Sequence, residues 1–141
     1  MFKLSNVISA ENLILPATSL PQYAYRAMFS NAYSLSIAPA LPATTLNTGV
    51  YYYMFENCAL STAPELLAPT LVNSCYYCMF IGCRNLNYIK CLATSISTTN
   101  CTQNWVKDTA SQGTFVQADG ITWSRGVNGI PTNWTAVVDG S

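Results

Sequence analysis

Apolar side chains return along this chain in phase, and the phase defines its elements. Phe2, Phe29, Phe55, Phe80 and Trp105 stand 25 to 27 residues apart. Leu35, Leu60 and Leu86 keep the same pace, as do Leu20, Leu46, Leu71 and Ile96. Three markers in phase over most of a chain indicate an internal repeat. Within each period, Tyr25, Met28, Phe29 and Ala32 sit at i, i+3, i+4 and i+7, and Tyr51/Met54/Phe55/Cys58 and Tyr76/Met79/Phe80/Cys83 repeat that spacing. This spacing predicts a short amphipathic helix of about two turns, too short to be stable unless it packs on something. The second half of each period runs from Leu35, Leu60 or Leu86 through Ala38-Pro39, Ala63-Pro64 or Ile89-Lys90. Proline there limits the prediction to a strand of three or four residues followed by an extended turn.

One such unit cannot bury both of its faces, so like units must stack. The fold class predicted is therefore an α/β solenoid, a leucine-rich-type stack of roughly 25-residue strand-plus-short-helix units. Leu35, Leu60 and Leu86 are expected on neighbouring parallel strands, with Phe29, Phe55 and Phe80 as a buried ladder on the helical side. Residues 1–108 form the repeats, the first partial and the last degenerate. Met1-Phe2 falls on the Met-Phe position of a repeat whose first half is missing, so further repeats or domains are expected upstream of Met1. At the other end Cys101, Asn104, Trp105 and Asp108 occupy the stripe, where Asp108 would bury a charge. Residues 109–141 are Gly-rich, hold Trp123 and Trp134, and have β-prone runs around Thr114–Val116 and Trp134–Val138. They read as a C-terminal β-rich cap over the open apolar end.

Composition narrows the function. Half of the 141 residues are apolar and only 9% are charged, against about 25% in ordinary domains. Six basic residues balance six acidic ones, so no net field favours nucleic acid. The stretch from Ala27 to Phe55 carries no charge, yet the Pro, Asn, Ser and Thr running through it argue against a membrane span. The chain has no histidine, which removes Ser-His-Asp and Cys-His catalysis and the commonest metal ligand. Cys75-x-x-Cys78 with Cys83 and Cys91 could be read as a four-thiolate zinc site, but a second CxxC is missing. Cys83 also has a repeat counterpart at Cys58, where a small apolar residue faces the core. Buried, adjacent, unbridged thiols are expected, without metal or cofactor. The carboxylates are scattered, with no marked pair of the kind a glycosidase needs. Asn100-Cys-Thr102 and Asn133-Trp-Thr135 match the N-glycosylation sequon and are read as incidental.

The pattern carried by Tyr76, Met79, Phe80, Cys83 and Leu86, and by Tyr51, Met54, Phe55, Cys58 and Leu60, followed by Ala-Pro-x-Leu and LPATTL-like segments, resembles the BspA-like leucine-rich repeats. Leu60 comes two residues after Cys58 rather than three, and Ala32 stands where a cysteine is found in later repeats. The tail from Asn104 to Thr135 also resembles the closing segment of such proteins. The resemblance implies a surface protein of gut bacteria or their phages. It implies a partner that is a host or bacterial surface protein or a glycan, with no nucleic acid and no membrane insertion. The function expected is a non-catalytic binding module at the cell surface or secreted. The alternatives are a tail or fibre component of a phage virion, or a substrate-holding accessory domain of a larger surface enzyme. Strand alternation sends i and i+2 to one side. With Ala38, Ala63 and Ile89 as core, Ile37, Thr62 and Tyr88 form one outward row and Pro39, Pro64 and Lys90 the next. Ile37, Thr62, Tyr88 and Lys90 are the candidate binding residues.

Overall fold

Prolines decide where strands form. The computed structural model describes residues 6–18 and 20–140. In the two periods where Pro39 and Pro64 interrupt the extended segment, pairing is reduced to single parallel bridges: Ser9 with Ile37, Thr62 with Tyr88, Leu66 with Cys91, Thr70 with Ser95. A proline nitrogen has no proton for the ladder. Where Ile89-Lys90 replaces Ala-Pro, the segment becomes β1 (Tyr88–Cys91). The β-prone runs of the tail supply β2 (Thr114–Gln117) and β3 (Thr135–Val138). The three strands form one parallel sheet in the order β1-β2-β3. Tyr88 lies opposite Thr114, and Thr114 opposite Thr135. The tail thus extends the row that begins at Thr62 and Tyr88.

The predicted helices do not form, and the α/β solenoid of strand-plus-helix units is thereby overturned: among the described residues the regular elements are these three strands alone. The apolar segments around 21–32, 47–58, 72–83 and 98–108 are ribbons of consecutive tight turns. Every fourth residue in them has a left-handed backbone: Tyr23, Ala27 and Asn31; Gly49, Tyr53 and Asn57; Ser74, Cys78 and Gly82; Asn100, Asn104 and Asp108, with φ between 50° and 78°. An α-helix cannot pass through such residues. The hydrogen bonds show what replaces it. Alternate amides bond back three residues, as Met28 N–H does to Tyr25 O at 3.2 Å and Ser30 N–H to Ala27 O at 3.1 Å. The amides between them bond forward to the next ribbon: Tyr25 to Val50 O, Ala27 to Tyr52 O, Phe29 to Met54 O and Asn31 to Glu56 O, all at 2.8–2.9 Å. The same alternation links the second ribbon to the third and the third to the fourth.

A four-residue backbone period puts i, i+4 and their neighbours on one face, which is why it imitates a helical stripe. Phe29, Phe55 and Phe80 do stack as a buried ladder, with ring centroids 5.6 and 5.8 Å apart and planes within 4° of parallel. Tyr25, Tyr51, Tyr76 and Trp105 make a second ladder with centroids 5.8–5.9 Å apart. Leu35, Leu60 and Leu86 are fully buried but lie in no strand; Leu35 and Leu86 instead close the turn after their ribbon, bonding to Ala32 O and Cys83 O at 3.0 Å. Asp108 buries no charge: its side chain is exposed. Trp123 lies on Trp105 at 5.5 Å, with Phe115 edge-on to both. Met1-Phe2 and the start of the first period lie outside the described residues.

Candidate functional site

The sheet presents one face as a built surface. In β1 the side chains alternate, with Ile89 and Cys91 buried and Tyr88 and Lys90 half-exposed. Thr62 is exposed and bridged to Tyr88, so the structure brings Thr62, Tyr88 and Lys90 together. Ile37 is 45% exposed but pairs with Ser9 at the opposite end of the stack. Pro39, expected to face outward in the row of Lys90, is buried, and Pro64 is half-buried.

Lys90 is not a free cation. Its ammonium lies 3.2 Å from Glu65 and 3.3 Å from Asp139. The Glu65 carboxylate first, then that of Asp139, holds it charged and raises its pKa above the usual lysine value.

At the leading ends of the strands lies a depression of roughly 440 Å³ lined by Asn87, Tyr88, Gln112, Thr114, Asn133 and Thr135 around Gly113. That volume falls within the about 300–1,000 Å³ of small-ligand sites. Its floor is fixed by the ladder: Asn87 N–H to Ser61 O at 3.0 Å, Thr114 N–H to Asn87 O at 2.9 Å, Thr135 N–H to Gly113 O at 2.9 Å. Gly113 is required, because a Cβ there would stand 2.5 Å from Asn87 O and 2.7 Å from the Trp134 ring. Trp134 is itself anchored by its indole N–H on Ala110 O at 2.8 Å.

Several polar side chains elsewhere are held by partners within the fold. Asn31 pairs with Asn57, Ser30 with Glu56, Thr98 with Leu71 O and Thr102 with Asn128 O. Among the described residues, none of the six groove side chains has a hydrogen-bond partner; only the backbone beneath them is engaged. Tyr88 is legible from strand alternation. Asn87, Gln112, Thr114, Asn133 and Thr135 are not, because the sequence of the tail reads as a separate cap. A signal is nonetheless present: Asn87-Tyr88, Gly113-Thr114 and Trp134-Thr135 each open a proline-free β-prone run. The sequon Asn133-Trp-Thr135 falls inside the groove.

The thiols lie elsewhere. All six cysteines are buried and unbridged. Cys58 and Cys83 are neighbours in successive ribbons, and each thiol donates to the carbonyl of the phenylalanine one ribbon earlier, Phe29 at 3.1 Å and Phe55 at 3.0 Å. Burial pushes the thiols of Cys75, Cys83 and Cys91 up to about 12, which keeps them protonated and poor as nucleophiles or ligands. Among the described residues no three His, Cys, Asp or Glu side chains gather to hold a metal ion, and no helix is long and apolar enough to cross a membrane.

Comparison of the chain with models of protein families, with curated proteins and with solved structures finds no match in any of the three.

Proposed function

We propose that this chain is a non-catalytic binding module that takes a protein or glycan ligand in the groove at the leading ends of β1, β2 and β3. The observation that carries the reading is the set of six uncharged polar side chains without a partner among the described residues, gathered over a floor that the backbone ladder makes rigid. A preorganised surface of this kind binds without losing much order of its own. The absence of histidine and the buried, protonated thiols support a non-catalytic role. Placement at a bacterial cell surface, or on a phage virion, rests on the resemblance carried by Tyr76, Met79, Phe80 and Cys83. The test is binding of the labelled full chain to fixed epithelial and bacterial cells by flow cytometry. Tyr88→Ala is expected to weaken binding tenfold or more, and Tyr33→Ala, exposed on another surface, to leave it unchanged. Absence of binding to either cell type, or full binding by Tyr88→Ala, refutes the reading.

A further inference from the structure

We infer that the groove takes a neutral carbohydrate, an inference that rests on the binding-module reading above. Three features lead to that ligand class. The first is charge. The lining is Asn87, Tyr88, Gln112, Thr114, Asn133 and Thr135, without an acid or a base. The nearest cation along β1, Lys90, is already held between two carboxylates. A charged ligand group would find no counter-ion among these side chains. The ligand is therefore uncharged at the contact.

The second feature is hydrogen-bonding character. Three primary amides and three hydroxyls each both donate and accept. A sugar hydroxyl does the same, and a ring bearing several of them can engage adjacent amides without leaving a donor or acceptor unmet. Tyr88 adds a half-exposed aromatic surface ending in a polar tip, the combination that packs against the C–H face of a pyranose while its hydroxyl stays hydrated or bonded.

The third feature separates a sugar from a peptide. Peptides commonly dock on sheets by adding a strand, and that requires free backbone groups along an edge. On the floor of this groove two carbonyls are engaged, Asn87 O accepting from Thr114 N–H and Gly113 O from Thr135 N–H, while the open edge of the sheet is the far side of β3. The lining side chains sit at the strand ends rather than along that edge. Gly113 lets β2 pack closely beneath the groove, since a Cβ would meet Asn87 O and the Trp134 indole.

The experiment uses the full chain on the same cells, after mild periodate oxidation of glycans or after protease treatment, with soluble competitors. The competitors are neutral gluco-, galacto- and manno-oligosaccharides on one arm, and sialylated and sulfated oligosaccharides on the other. Tyr88→Ala, Gln112→Ala and Asn133→Ala are measured beside the parent, with urea midpoints to show that each is folded. The expected result is binding abolished by periodate and competed by at least one neutral oligosaccharide. Each groove substitution should raise the competitor concentration needed for half-inhibition fivefold or more. Competition by the acidic sugars alone overturns the inference. Binding that survives periodate, is lost to protease and still depends on Tyr88 overturns the carbohydrate inference while leaving the binding-module reading standing. Periodate-sensitive binding indifferent to all three substitutions overturns the assignment to this groove.

Discussion

Replacing Gly82 with alanine has opposite signs in a helix and in a turn ribbon. In a helix interior the change stabilises by about 0.8–1.0 kcal/mol. Gly82 here has φ +78°, and a Cβ on it would overlap Asn57 Oδ1. A left-handed backbone costs a residue with a Cβ about 1–2 kcal/mol. The clash also displaces the Asn57 side chain, whose amide donates to Asn31 Oδ1 at 2.9 Å, a loss of about 0.5–1.5 kcal/mol. Reduced freedom of the unfolded chain returns about 0.4–1 kcal/mol. The net expectation is a destabilisation of about 1–2.5 kcal/mol. Gly120 is the internal control, with φ +79° and nothing within 4 Å of where its added methyl would lie. Gly120→Ala therefore reports the backbone cost alone, and Gly82→Ala should exceed it by about 1 kcal/mol. Urea unfolding followed through the buried Trp105, Trp123 and Trp134 measures both. A Gly82→Ala protein more stable than the parent would refute the ribbon, and equality with Gly120→Ala would refute the contact with Asn57.

Three further outcomes follow from the packing and the titrating groups. Phe55→Ala, which opens the middle of a fully buried phenylalanine ladder, should cost about 3–5 kcal/mol in the same assay; a cost under about 1 kcal/mol would mean the rings do not support one another. Cys75, Cys83 and Cys91, raised from an ordinary value of 9.0 to about 12 by burial, stay protonated in the folded chain while the unfolded chain ionises. Stability should then be independent of these groups below pH 9 and fall above it until about pH 12, by about 1.4 kcal/mol per pH unit for each thiol; a flat profile to pH 11 would contradict their burial. Iodoacetamide at pH 8 should label none of the six cysteines in the folded protein and all six in denaturant, read by intact mass; a thiol labelled rapidly in the folded protein would show that it is exposed.

The repeat is legible in the sequence because packing sets it: rings that stack must recur in phase, and Phe29, Phe55 and Phe80 do. The backbone beneath them is not legible from the apolar positions. A four-residue turn period and a 3.6-residue helix period differ too little over eight residues to be separated by Tyr25, Met28, Phe29 and Ala32. The residues that separate them are the small and amide ones that tolerate a left-handed backbone, Asn31, Gly49, Asn57, Gly82, Asn100 and Asn104. Tyr23, Ala27, Tyr53, Ser74 and Cys78 adopt the same backbone without that preference, which dilutes the signal. Tyr88 and Lys90 emerge from alternation within a proline-free run. The rest of the groove is hidden because parallel pairing joins residues some 20 or more positions apart, and nothing local in Gln112 or Asn133 announces its neighbour.

The alternation of hydrogen bonds gives the stack a direction. In each ribbon every second amide points toward the following ribbon, while the carbonyls of the intervening residues point toward the preceding one. At the first ribbon the carbonyls of Ala24, Arg26, Met28 and Ser30 accept no backbone bond from any described residue. At the other end Val106 N–H meets Val127 O and Asn104 N–H meets the Asn128 side chain. The carbonyls of the first ribbon thus face one way along the stack, and these two donors of the fourth ribbon face the other. Any ribbon that meets these carbonyls must present alternate amides to them, so units join the stack in one sense only.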